Sequence, residues 1–148
     1  MFINKDIYNL NRFIKAQADI YESVLSELKN GHKTSHWMWF IFPQIKGLGN
    51  STMSVKYAVN SFKEAEEYLN HPLLGKRIKE CTDIVLNLNG YSAKQIFGSI
   101  DEMKLRSSMT MFNAVQQGEN IFKLVLDKYF KGLEDQRSLE LLINIKKY

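Results

Sequence analysis

Apolar residues recur along this chain with the period of a helix rather than the alternation of a strand. Leu10, Ile14, Gln17, Tyr21, Val24 and Leu28 follow one another at alternating spacings of four and three, and Phe13, Ile20 and Leu25 widen the stripe. Asn30-Gly31 supplies the stop, so one helix is predicted from Leu10 to Leu28. Gln17 is polar at a position where an apolar residue belongs. It is either a hydrogen-bonded tie inside the fold or a group facing a polar cavity.

The same reading continues to the end. Thr34 and Ser35 cap a short helix carrying the Trp-Phe run, which Pro43 ends; Lys46 to Asn50 is a loop; Ser51 or Thr52 caps a helix through Val59. Ser61 with Glu64 matches a capping box for a helix through Leu69. After His71-Pro72, the stripe Leu73, Leu74, Ile78, Cys81, Ile84, Val85 and Leu88 runs to Asn89-Gly90. Ser92 opens a brief helix closed by Gly98, and Ser99 or Asp101 caps a long one ended by Gly118. Asn120 starts another, closed by Gly132, and Asp135 caps the last, through Lys147. The expectation is an all-α fold, a single compact domain over residues 1–148 with about eight short-to-medium helices.

Composition narrows the class without naming a reaction. The chain has 148 residues, 45% of them hydrophobic, enough for one real core. Phe2 and Ile3 are followed at once by Asn4, Lys5 and Asp6, which is not the basic-then-apolar order of a signal peptide, and the longest apolar run, Trp37 to Pro43, is far short of a membrane span. A cytoplasmic protein without membrane association is expected. Net charge is +4 from 20 basic and 16 acidic residues, and Lys76, Arg77 and Lys79 are the densest basic group. That excess suits a solvated helix face and a small anionic ligand better than a nucleic-acid groove. The single Cys81 has no partner for a disulfide or a CxxC site, and three histidines without metal-ligand spacing make zinc an unsuitable assignment; no metal or cofactor is expected.

Candidate chemistry concentrates in Ser35 to Gly49, SHWMWFIFPQIKGLG. Trp37, Trp39, His36 and Gln44 all carry polar atoms that need partners once buried. Trp37 and Trp39 are two apart, so both cannot face one side of a helix; one points inward and the other is left for a groove or an interface. His36 is a candidate general base, with a bracing role as the equal alternative. The loop formed by Gln44, Lys46, Gly47, Gly49 and Ser51 offers backbone N–H groups and a cation for phosphate or carboxylate, although it is neither a Walker loop nor a GxGxxG fingerprint. A third group lies on the long helix, where Asp101, Lys104 and Ser107 fall three apart and present an acid, a base and a hydroxyl on one face. Ser108 beside them lies near the buried stripe of Leu105, Met109 and Phe112. No GxSxG elbow or SxxK motif supports a serine nucleophile there.

The block SHWMWFIFPQIKGLGNS, then YAV, EAEEYLNHPLLGKRI, IFGSID and KLRSSMTMF, resembles the pattern of the DUF1810 family. The likeness extends from LNRFIKAQADIYESVLSELKNG at the start to DQRSLELL near the end. It implies the multihelical fold of bacterial DUF1810 proteins and supplies no settled activity. From the residues, the leading expectation is a small-ligand-binding protein. Its pocket, of Gln17, the Trp-rich helix and the KGLGN loop, holds an anionic, nucleotide-like metabolite, ADP-ribose-like ones included, which it senses, sequesters or processes. The alternatives are a hydrolase or glycosidic-bond-cleaving enzyme using His36 or Asp101 as acid/base, and an interaction module or homo-oligomer docking through an exposed tryptophan.

Overall fold

Residues 5–146, which the computed structural model describes, form ten helices, and among those residues the sole extended pairing is an isolated parallel bridge between Ile45 and Val59. The expected stretch Met1 to Asn4 and the end of the last helix at Lys147 lie outside the described residues. Ten helices rather than about eight arise in part because the first stripe is two elements, α1 (Asn11–Gln17) and α2 (Tyr21–Lys29). The Ile20 N–H bonds Gln17 O three residues back, a tight turn that contains neither glycine nor proline. Leu10, Gln17, Tyr21, Val24 and Leu28 are nevertheless all buried, so the turn preserves the helical face and leaves the periodicity intact.

The Trp-Phe run forms a single turn, α3 (Met38–Ile41), and Pro43 follows its end as expected. Thr34 and Ser35 do not cap it. Both give their N–H groups to Glu27 Oε1, at 2.6 and 2.8 Å, and Trp37 takes the cap position without a side-chain bond. The helix expected through Val59 ends early, as α4 (Thr52–Lys56), because Val59 is drawn into the bridge: its N–H reaches Gln44 O at 2.8 Å, and Lys46 N–H reaches Val59 O at 2.8 Å. This bridge closes the KGLGN loop at its base.

Next come α5 (Phe62–Asn70), capped by Ser61, and α6 (Leu74–Asn87), whose entry His71 holds by accepting the N–H groups of Leu73 and Leu74 on Nδ1. Glu64 completes only half of the expected box, since its carboxylate goes to Asn60 and Arg12 instead of Ser61 N–H. A side chain at Gly75 would meet Leu69 O at 2.0 Å, so α5 and α6 approach there as only glycine allows. The full capping box belongs to Ser92 and Gln95, which open α7 (Ala93–Phe97); α8 (Ser99–Gln116), α9 (Ile121–Phe130) and α10 (Gln136–Lys146) complete the chain.

Helix α8 is the spine, packed by α5, α7, α9 and α10. A chain of rings runs through the core from Phe13 to Tyr68, edge-on at 5.1 Å, then to Phe112 at 5.5 Å and Phe122 at 5.4 Å. Cys81 is buried, and burial foremost pushes its thiol up to about 12, as suits a packing residue rather than a nucleophile. Among the described residues no helix is long and apolar enough to cross a membrane.

Candidate functional site

Two stretches distant in sequence, the α3 turn with the loop after it and the segment leading into α10, border a cleft of about 350 Å³ on the face of α8. Each is held by bonds traceable to the sequence. The Ile45–Val59 bridge anchors the loop, which then passes so close to its neighbours that a side chain at Gly49 would meet Ser54 at 2.8 Å and one at Gly47 would meet Leu141 at 3.0 Å. Gly47 also has φ +107°, a conformation that side chains resist. The segment before α10 is clamped to α8 by Arg106, whose Nε donates to Leu133 O (2.8 Å) and Nη2 to Glu134 O (2.7 Å). Thr110 Oγ1 accepts the Asp135 N–H at 2.9 Å, one turn further on.

Six of the expected site residues line this cleft together: Trp39, Gln44, Gly47, Gly49, Lys104 and Ser107. Lys104 Nζ lies 4.7 Å from the centre of the Trp39 ring, a cation over an indole face. Ser107 Oγ donates to Asp135 Oδ2 at 2.8 Å. Among the described residues the Gln44 amide, Trp39 Nε1 and Arg106 Nη1 hold no hydrogen-bond partner. Polar atoms of a half-buried site that the protein leaves unpaired are available to a solute.

The other expected residues lie elsewhere. Gln17 is the internal tie: its amide donates to Phe40 O (2.7 Å) and Tyr68 Oη (3.2 Å) and accepts from Arg77 Nη1 (3.3 Å), with 1% of the residue exposed. Trp37 is the inward ring, buried against Phe42, with Nε1 donating to Glu27 Oε1 at 3.1 Å. His36 is exposed, off the cleft, and forms no ion pair among the described residues. Lys46 and Ser51 are exposed, and the Ser51 hydroxyl is used as the cap of α4, accepting the Ser54 N–H at 3.1 Å. Ser108 is wholly buried within α8, and its Oγ has no partner. Asp101 sits next to the cleft rather than in its lining, held between Lys33 Nζ (2.8 Å) and Lys104 Nζ (3.6 Å). The convergence expected of Gln17 and His36 on one hollow with Trp39 is therefore absent, because core packing consumes the first and the chain turns the second to solvent.

Glu27 explains why the Trp37 half is closed. Burial by itself raises its carboxyl, but the N–H groups of Thr34 and Ser35 and the side chains of Ser35 and Trp37 outweigh that and hold it below the usual carboxylate range.

Arg106, Asp135 and Tyr57 line the cleft and were not foreseen. The sequence marks Asp135 as a helix cap; that its carboxylate takes the Ser107 hydroxyl of α8 as well as Ser138 on its own helix is a tertiary fact. Tyr57 is buried, and nothing around it in the sequence separates wall from core. Arg106 carried a weak signal, a cation between Leu105 and Ser107 on a helix with a buried face. Among the described residues no group of three or more His, Cys, Asp or Glu side chains is placed to hold a metal ion.

A crystal structure of the conserved hypothetical protein Rv1873 from Mycobacterium tuberculosis is similar at 47% identity and a TM-score of 0.91, covering 93% of this chain and 99% of that one. No curated protein matches. The family described as "Protein of unknown function (DUF1810)" matches residues 7–142, nearly the whole chain. Helical architecture, the Trp-rich turn and the serine-bearing α8 thus stand in a chain that belongs to the DUF1810 family.

Proposed function

We propose that this protein binds a small anionic, nucleotide-like metabolite in the cleft between α3, the KGLGN loop and α8. The observation that carries the reading is the Trp39 indole, half-buried in the lining beneath Lys104 Nζ at 4.7 Å, with its own Nε1 and the neighbouring Gln44 amide unpartnered among the described residues. A planar base stacks on the Trp39 indole by displacing the Lys104 ammonium from the ring face toward the phosphate. Ile100 and Met103, exposed at the lip at 71% and 68%, are apolar surface available to cover such a ring. Lys104 and Arg106 supply positive charge for a phosphate. The volume falls within the range of small-molecule sites.

Binding is favoured over acid/base turnover because His36 lies outside the cleft and Asp101 is committed to two lysines. Docking through an exposed tryptophan is weakened by the enclosure of Trp37 and by Trp39's place in a concave wall. The test is tryptophan fluorescence titrated with ADP, ADP-ribose, UDP and pyrophosphate. Nucleotides should quench emission and pyrophosphate should not, and Trp39→Phe should abolish the quenching while leaving Trp37 emission. Absence of quenching by every nucleotide, or equal quenching in Trp39→Phe, would overturn the reading.

A further inference from the structure

A phosphate-binding cleft has no need of a carboxylate, yet Asp135 lines this one. Its Oδ2 accepts from Ser107 Oγ at 2.8 Å and from Ser138 Oγ at 2.5 Å, and its own N–H is held by Thr110. Two hydroxyls and a main-chain bond fix the group, while Oδ1 has no partner among the described residues. The carboxylate is thus held in place with one acceptor unspent, on the same wall as Lys104 and the partly engaged Arg106.

A negative charge there repels an anion unless the ligand brings donors to it. A charged ammonium is disfavoured by the two neighbouring cations, which leaves neutral donors, and the hydroxyls of a sugar are the ones carried next to the phosphate that Lys104 and Arg106 attract. One free oxygen with two lone pairs suits a ribose hydroxyl, as an acidic side chain takes the ribose 2′-OH in dinucleotide-binding folds. Building on the nucleotide reading above, we propose that Asp135 reads sugar hydroxyls, so that the cleft takes ribonucleotides with a free ribose diol and discriminates against their deoxy counterparts. A 2′,3′-dideoxynucleotide leaves Oδ1 desolvated and unpaired, and that penalty is the discrimination.

The test is calorimetric titration of the full chain with ADP, 2′,3′-dideoxy-ADP and ribose 5-phosphate, in the native protein and in Asp135→Asn. In the native protein ADP should bind at least about ten-fold more tightly than dideoxy-ADP, a loss of one stranded hydrogen-bonding group. In Asp135→Asn that ratio should contract to about two-fold or less, since an amide offers weaker acceptance and no charge. Ser107→Ala, which keeps the carboxylate but removes one of its supports, should give an intermediate ratio and covers the case in which Asp135→Asn fails to fold. Equal binding of ADP and dideoxy-ADP overturns this proposal while leaving the nucleotide reading intact. An unchanged ratio in a folded Asp135→Asn overturns it as well. Binding of ribose 5-phosphate as tight as that of ADP supports the hydroxyl contact and removes the ring from the nucleotide reading. If none of the three binds, both fall.

Discussion

Two indoles two residues apart meet opposite fates in this molecule. Trp37 is 2% exposed, packed on Phe42, its Nε1 answered by Glu27, and the aliphatic-stemmed Lys33 lies over its ring at 5.0 Å. Trp39 is half-buried, its Nε1 unanswered among the described residues, with Lys104 over its ring at 4.7 Å. Both rings therefore carry a lysine, and one carboxylate, Asp101, touches both lysines. The lesson is that an aromatic-cation pair is not itself a site. What separates structure from function here is whether the polar edge of the ring and its neighbours have been satisfied from within.

The sharpest way to break the comparison is truncation. Trp37→Ala should destabilise the fold by about 3–5 kcal/mol, a filled core position emptied, whereas Trp39→Ala should cost roughly half that or less because its ring is already partly in water. Urea unfolding of both variants checks this. Equal losses would contradict the division of the two rings into core and cleft.

Glu27 offers the next largest effect. Its Oε1 accepts from two main-chain N–H groups and the Trp37 indole, and replacing the charge by Glu27→Gln should cost about 1–3 kcal/mol near neutral pH, toward the lower end since the group is only partly buried. The sign with pH follows from the depressed folded value. The contribution is complete above the unfolded carboxylate value of about 4.3 and is lost as pH falls through the lower folded one. The stability gap between native protein and Glu27→Gln should accordingly narrow on acidification from about pH 6 to pH 3. A gap that widens would mean that the carboxylate is not held by these donors in the folded state.

These two residues also mark how far the sequence could be read. That one of Trp37 and Trp39 faces inward was legible from their spacing alone, since a helix cannot point both the same way. Which one was not, because the choice depends on Glu27, ten positions upstream and drawn in by α2. Most caps and stops were legible for a similar reason: Ser51, Ser61, Ser92 and Asn120 each act within three residues. The break between α1 and α2 was hidden because the turn keeps the apolar face in phase, and the end of α4 was hidden because Val59 pairs with a loop residue fourteen positions back. In the cleft, Lys104 and Ser107 were legible as one face of a helix. Asp135 and Arg106 were not, since their roles exist only once α10 has docked on α8.

The finest test of the comparison uses the carboxylate shared by both halves. Lys33, with 7% of its side chain exposed, has Asp101 Oδ2 at 2.8 Å; Lys104, with 22% exposed, has Oδ1 at the longer 3.6 Å. Removing the charge by Asp101→Asn strands an enclosed ammonium on one side, with the Ser35 carbonyl and the Trp37 ring as its remaining partners, and releases a cleft-side ammonium that solvent reaches on the other. The first event should account for nearly all of a loss of about 1 kcal/mol. Lys104→Ala, which deletes only the solvent-reached partner, should stay within about 0.5 kcal/mol, as exposed pairs do. Chemical denaturation of the two single variants and the double one should show the double variant no worse than the sum. If Lys104→Ala proved as costly as Asp101→Asn, Lys104 would be holding the fold together, and its ammonium would not be free to meet a phosphate in the cleft.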